Sequence, residues 1–329
     1  MVLIIMDLQV RFCHHLSLSY WGGGEKWVVG IAKELVKRGC DVEIYALPLL
    51  LEGRRKINPR DVLDGIPYCE KMHHKVKGDV VYVTYNPLSW LNFQTTTPRI
   101  GGIHSEVYYV PPNLRYGLFP NLANITNKFM GDCELRHFDA IHTVTEACPI
   151  NHPKVYFIPD FVDAGLFKPT REKDEDFAVA FSSRLVWQKG YDLFQQTMDL
   201  TRQEIPIRAN VADGISGDEM PDFLSSNHIS LLPSRADTFG LSIVESCLCE
   251  TPVITTPLPS HQLLGLPLAY GASTGDFKRL VLGYYHMWEH DKEEFMELSK
   301  DCRVKALKFD KAVIVNKMLK MFEEVCNAD

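Results

Sequence analysis

Leu232-Pro233-Ser234-Arg235-Ala236-Asp237-Thr238-Phe239-Gly240-Leu241-Ser242-Ile243-Val244-Glu245-Ser246 is the stretch on which the fold turns. An apolar run of strand length, His228–Leu232, ends here, a loop with one acid follows, and a helix opens near Phe239-Gly240-Leu241. Free backbone N–H groups at such a helix start form an anion site suited to a diphosphate. Asp237 stands just before it, and Glu245 about two turns in. Carboxylates are poor phosphate ligands but good acceptors for sugar and ribose hydroxyls, because one carboxylate takes two hydroxyls. Taken alone, a capping Asp, which also serves as the polar group at the helix entry, and a solvated helical Glu account for the same pattern.

Phe181-Ser182-Ser183-Arg184-Leu185-Val186-Trp187-Gln188-Lys189-Gly190 repeats the arrangement upstream. A strand runs into two cations at the end where a doubly wound sheet places its ligand cleft. Arg184 offers a fork for phosphate oxygens and Lys189 a point charge, and together they can neutralise a diphosphate without a metal. Two surface cations near a helix start are the plainer account of the same residues.

Outward from these stretches, short apolar runs alternate with helical patterns. Val2–Met6, Val42–Leu47, Asp79–Thr84, Arg99–His104, Ala140–Val144 and Val155–Ile158 read as buried strands. Val28, Ile31, Ala32, Leu35 and Val36 carry helical spacing that Gly39 closes. After Pro159–Pro169 and the charged run Arg171–Asp176 the pattern restarts. Strands are expected at Phe177–Phe181, Ile207–Val211, His228–Leu232 and Pro252–Thr256, with helices at Gly190–Ile205 and Leu241–Leu248. The tail from Ala269 reads as helical throughout. Such alternation predicts an α/β protein with parallel sheets covered on both faces.

A chain of 329 residues that is 46% hydrophobic and 23% charged can bury a core in each of two domains, which excludes a disordered chain. No apolar run is long enough to span a membrane. Met1–Asp7 lacks a basic leader and reads as an immediate strand, and the nine cysteines show no framework spacing. Both point to a cytoplasmic protein with reduced thiols. Residues 1–165 carry 17 basic and 17 acidic side chains and the remainder 18 and 25, which argues against nucleic acid as a partner of the second half. Arg54-Arg55-Lys56 with Arg60, and Lys71, Lys75 and Lys77, are candidate contacts to an anionic inner membrane face; solvated loops explain them as well.

The order Ser-Arg-Leu-x3-Lys-Gly, Pro-Ser-x-x-Asp-x-Phe-Gly-Leu-x3-Glu and Thr-Pro-Val-Ile resembles the retaining GT-B glycosyltransferases of family 4, the glycosyl transferases group 1. So do Gly22-Gly23-Gly24-Glu25-Lys26 before a helix and Ile158-Pro159-Asp160-Phe161-Val162-Asp163 at the domain junction. The resemblance implies a GT-B fold: two doubly wound Rossmann-like domains facing across a cleft, with the C-terminal helices returning to the first. Residues 1–165, with the last helix at about 310–329, would form the acceptor-side domain, and 166–309 the donor-binding domain. It implies a hexosyltransferase that moves a sugar from a nucleotide diphosphate to a glycan, lipid or small-molecule hydroxyl, with retention and no required metal. Arg184 and Lys189 match the diphosphate-binding pair, Asp237 the acid that contacts the sugar, and Glu245 the acid that holds the ribose. Phe239, Gly240 and Leu241 would offer backbone to phosphate or sugar; Gly22, Gly23 and Gly24 match a loop that approaches the donor phosphates. His104 matches a histidine of the catalytic cleft.

The sequence departs from that pattern in places. Asp237 stands where Glu is usual, Ser182-Ser183 replaces a glycine, and Pro259-Ser260-His261-Gln262-Leu263 lacks the acid of a later glycine-rich element. Those departures keep two alternatives open: an epimerase or disaccharide phosphorylase on the same fold, or a nucleotide-sugar-binding protein without transfer. His286 and His290 share a helix face but show no evident third metal ligand, and His14 and His15 lie in what reads as the loop before the glycines.

Overall fold

The computed structural model describes residues 8–49, 52–104, 122, 125, 131, 133–147 and 150–327. The chain divides into two compact units, Met1–Asp160 with Lys311–Asp329, and Phe161–Asp310.

In the first unit the strands are β1 (Gln9–His14), β2 (Asp41–Ala46), β3 (Tyr68–Glu70), β4 (His74–Lys75), β5 (Val80–Thr84), β6 (Phe93–Gln94), β7 (Arg99–Ile103), β8 (Ala140–Thr143) and β9 (Val155–Phe157). Seven of them form one sheet in the order β3-β2-β1-β5-β7-β8-β9, parallel at every pairing; β4 and β6 pair separately. The strand expected at Val2–Met6 lies outside the described residues. β1 itself is not apparent from sequence because Arg11 and His14 interrupt its apolar run. Both are nonetheless buried, and a buried charge persists only when it is paired. Arg11 donates to the Asp41 carboxylate at 2.7 Å and to the carbonyls of Asp41 and Lys77 at 2.9 and 3.0 Å.

The helix Gly23–Lys37 buries Trp27, Val28, Ile31, Ala32 and Leu35. Beside it runs the helix Lys311–Cys326, which belongs to this unit although it is far away in sequence. Phe322 is fully buried against Phe12 and Tyr82, at ring separations of 6.3 and 6.1 Å, a burial that contributes about 1.5–3 kcal/mol. Lys311 reaches Glu34 at 3.8 Å.

The second unit holds β10 (Ala178–Phe181), β11 (Arg208–Val211), β12 (Ile229–Leu232), β13 (Val253–Thr255) and β14 (Ala269–Tyr270). Their order is β11-β10-β12-β13-β14, again all parallel. Every residue of β10 and β12 is buried, as strands covered on both faces require. The tail is therefore not helical throughout: Ala269–Tyr270 adds an edge strand before the helices Thr274–His290 and Lys292–Ala306, and only the last helix returns to the first unit. From β10 the chain winds to one side and from β12 to the other. Their adjacent carboxyl ends thus form the switch point at which doubly wound sheets bind ligands.

Candidate functional site

The switch point of the second unit carries both stretches singled out by sequence. The loop after β10 is tied to the helix Leu241–Leu248, with Ser242 donating to the Ser182 carbonyl at 3.0 Å and Ser183 to Ser242 Oγ at 3.3 Å. Of the two serines that stand where a glycine is usual, Ser183 adds a side-chain tie to this loop, while Ser182 contributes only its backbone carbonyl. Arg235 and Ala236 donate their N–H groups to the Gln188 carbonyl at 2.7 and 3.3 Å, which joins the two loops. The Arg235 guanidinium forks onto Asp192 at 2.6 and 2.8 Å and lies 4.6 Å over Trp187. Gly190, with φ +73°, is the closest approach: a Cβ there would stand 2.0 Å from the Pro233 carbonyl oxygen.

These ties bring Lys189 Nζ to 2.9 Å from Asp237 Oδ2, with side chains 12% and 15% exposed. His261, wholly buried, stands with Nε2 at 3.5 Å from the same oxygen. Burial raises the Asp237 carboxyl pKa, but the Lys189 ammonium and His261 outweigh it and hold the group well below the usual carboxylate range. His261 is the residue that sequence reading missed; its segment stood out only as a departure. Thr255 spends its hydroxyl proton on the Leu232 carbonyl at 2.7 Å. His261 Nδ1, at 3.1 Å from Thr255 Oγ1 and 3.2 Å from the Thr256 carbonyl, must therefore be a donor.

Asp237 does not cap the helix. Gly240, at φ +94°, is the N-cap and no side chain bonds there, so the helix presents backbone N–H groups at Leu241 and Ser242. A Cβ on Gly240 would press on Ile243 at 3.0 Å and His261 at 3.3 Å. Phe239 points into the core against Phe309, leaving only its backbone for a ligand, and Glu245 is half-buried in the helix. Arg184 is exposed and forms no ion pair with the described residues.

The first unit assembles a separate group of polar residues. Of the two histidines expected in the loop before the glycines, His15 lies there, directly after β1, whereas His14 is the last residue of the strand. His14 Nε2 meets Glu25 Oε1 at 2.8 Å, and Glu25 Oε2 accepts from the Gly22 N–H at 2.6 Å. Burial raises the Glu25 pKa, His14 and the Gly22 N–H lower it, and the net direction is down. Burial, then the neighbouring His14, push His15 down to about 3. A buried carboxylate thus fixes the start of the glycine loop. A Cβ on Gly22 would stand 2.8 Å from Glu25 Oε2 and displace the carboxylate that binds the Gly22 N–H, whereas one on Gly23 would meet nothing within 4 Å.

His104 follows β7, with its ring 4.1 Å from Trp27. Its Nε2 lies 2.7 Å from Tyr82 Oη, which lies 2.6 Å from His142 Nδ1; His142 Nε2 lies 2.7 Å from the Ile158 carbonyl. The carbonyl can only accept, so His142 donates from Nε2. Burial pushes His142 down to about 3, so its Nδ1 is a bare acceptor at neutral pH. Tyr82 must then donate to His142 and accept from His104 Nε2–H. His104 Nδ1 faces Asp160 Oδ1 at 3.3 Å. Gly102 makes room for this chain: a Cβ there would fall 1.9 Å from the Tyr82 hydroxyl. Neither Tyr82, His142 nor Asp160 carries a sequence signal of its role, because the partners are 22 and 60 residues from Tyr82 and 56 from His104.

On the helix Thr274–His290, Glu289 joins His286 and His290 as a third group, with ligand atoms within 4.8 Å of one another and all three residues exposed. The basic clusters around Arg54 and Lys71 are exposed, and no helix among the described residues is long and apolar enough to cross a membrane.

No protein-family model matches the chain, and no curated protein matches it. Its architecture is that of the GT-B glycosyltransferases. Sucrose-phosphate synthase from Thermosynechococcus elongatus superposes with a TM-score of 0.72 at 15% identity, over 98% of this chain and 100% of that one. HepE from Anabaena, solved in complex with UDP-glucose, gives 0.67 at 15% identity over 96% and 100%. A glycosyltransferase from Rickettsia africae gives 0.70 at 13% identity over 98% and 100%.

Proposed function

We propose that this chain is a glycosyltransferase that moves a hexosyl group from a nucleotide-diphosphate donor to an acceptor hydroxyl. The observation that carries the reading is the Lys189–Asp237 pair set beside an uncapped helix start at the switch point of the second unit. Arg184, Lys189 and the N–H groups of Leu241 and Ser242 would hold the diphosphate and stabilise its charge as the bond from the anomeric carbon to the phosphate oxygen breaks. The acceptor oxygen then bonds to that carbon on the same face, and its proton passes to the departing diphosphate. Retention is expected on the resemblance to family 4. Two cations and a helix start supply charge that a metal otherwise provides, so donor binding is expected without magnesium.

Asp237 would meet the transferred sugar and Glu245 the ribose. Gly23, whose missing side chain nothing in the protein's own packing requires, would admit phosphate to the glycine loop. His104, whose ring nitrogens are held by Tyr82 and Asp160, would stand in the catalytic cleft near the donor sugar. In this reading the second unit is the donor side and the first the acceptor side. UDP and UDP-glucose, bound in the Anabaena HepE structures, are the first donors to try. A cytoplasmic chain that touches anionic membrane through its exposed basic clusters belongs to the same proposal, checked by salt-sensitive liposome binding.

A thermal-shift screen of nucleoside diphosphates and their sugar conjugates, with and without magnesium, tests the donor site, since a ligand bound only to the folded state raises the melting temperature. One diphosphate series should stabilise the chain without metal, and Arg184→Ala should abolish the shift. Full activity in Arg184→Ala would refute the assignment. Turnover of the donor alone to an epimer would replace transfer by epimerisation.

A further inference from the structure

A cavity of about 420 Å³ lies in the second unit at the edge opposite Arg184 and Asp237. Its wall includes Lys173, His228 and Glu250, which precede β10, β12 and β13, so it sits at the amino ends of the strands. Trp288, Phe295 and Met296, from the helices Thr274–His290 and Lys292–Ala306, form its apolar side. Its volume falls in the range of small-molecule sites, about 300–1,000 Å³.

Two groups in the wall are built to receive a ligand. His228 is 1% exposed, and its Nδ1 accepts the Ala178 N–H at 3.0 Å. In the neutral ring the proton is therefore on Nε2, and no acceptor among the described residues meets it. Burial, and then the Lys173 ammonium, push this histidine down to about 4, so the ring is neutral at pH 7. Lys173 Nζ donates to the Glu250 carbonyl at 3.0 Å and to Thr251 Oγ1 at 2.9 Å, leaving its third hydrogen unspent. Arg171, Lys292 and Lys300 outnumber Glu172 and Glu250 around these groups, and Met296 stands 54% exposed. The wall thus offers donors and positive charge next to apolar surface, with the His228 ring 5.0 Å from that of Trp288.

We propose that this cavity is a second binding site, for a small carboxylate with an apolar body, whose carboxylate rests beside His228 and Lys173 and whose body lies on Trp288, Phe295 and Met296. A burial site for a neutral apolar molecule would not need the two donors, and a site for a bare anion would not need the aromatic wall. The assignment stands whether or not the chain transfers sugar, because it uses none of the switch-point residues.

Isothermal titration calorimetry on the full chain at pH 7 tests it, with octanoate and 3-phenylpropanoate as probes and acetate and 1-octanol as controls. At least one probe should bind saturably with one-to-one stoichiometry, at least ten-fold more tightly than acetate or 1-octanol. Lys173→Met and Met296→Asp should each weaken that binding ten-fold or more, and Arg184→Ala should leave it unchanged. If Lys173→Met fails to fold because its ammonium ties Glu250 and Thr251, Met296→Asp at an exposed position still decides. No saturable binding of either probe, equal affinity for 1-octanol, or unchanged affinity in Met296→Asp would overturn the proposal.

Discussion

Replacing Gly190 by alanine tests whether the two loops of the second unit are locked as described. The new Cβ would lie 2.0 Å from the Pro233 carbonyl oxygen, and ordinary contact begins at 3.4 Å, so one loop must retreat by about 1.4 Å. The residue also sits at φ +73°, where an alanine costs about 1–2 kcal/mol. Overpacking adds about 1–3 kcal/mol. The sum, about 2–5 kcal/mol, is a large share of the roughly 5–15 kcal/mol that keeps a domain folded. For a unit this size the melting temperature should fall by roughly 4–20 °C. Gly283→Ala is the matched control: it lies within the helix Thr274–His290, and its Cβ would meet nothing within 4 Å. Alanine there should stabilise by about 0.5–1 kcal/mol. The same substitution in the same unit thus carries opposite signs. Because two units need not unfold together, hydrogen exchange in urea on peptides spanning β10 and β12 reads the second unit directly. If Gly190→Ala protected those peptides as well as the parent does, the close approach would be wrong.

The Asp237 carboxyl is held below its unfolded value near 3.9, so its share of stability is complete above about pH 5 and is lost as pH falls below 4. Asp237→Asn should cost about 3 kcal/mol at pH 7, the low end for breaking a buried pair because both partners keep some exposure, and should flatten the acid limb of a stability–pH curve. Tyr82→Phe removes the hydroxyl between two histidines and leaves a buried nitrogen of His142 unpaired. A loss of about 2–3 kcal/mol in urea is expected, with changed nitrogen chemical shifts at His104 and His142; unchanged shifts would refute the proton order. Among the described cysteines, iodoacetamide should reach exposed Cys133 first. Cys13, whose thiol burial pushes up, and Cys247, whose thiol the neighbouring Cys302 and then burial push up, should label only on unfolding, as peptide mass spectrometry would show.

Legibility in the sequence followed the range of the interactions. Each βα unit of the second half is local: strand, loop and helix lie within about twenty residues, so apolar spacing and glycines marked them. The juxtaposition of Lys189 with Asp237 is longer-range, and only the paired motifs drew attention to both. β1 was hidden because Arg11 is neutralised by residues from β2 and from the turn before β5, which no local pattern records. β14 falls in a stretch that reads as helix because a two-residue edge strand has too little period to show. His261 looked like a lost motif; its approach to Asp237 depends on β13 carrying Thr255 to the imidazole's other nitrogen. The Tyr82 chain needs three strands in register and a glycine in the fourth position of β7, so it emerges only from the assembled sheet.

The helix Lys311–Cys326 has a consequence for synthesis on the ribosome. Residues 161–310 emerge as one continuous run, so the second unit can close as soon as they are clear of the exit tunnel. The first unit cannot. Its sheet is made long before, yet Phe12 and Tyr82 wait for Phe322, and until that side chain arrives they offer an apolar groove to any passing chain or chaperone. The half of the protein that is translated first is thereby the half that matures last.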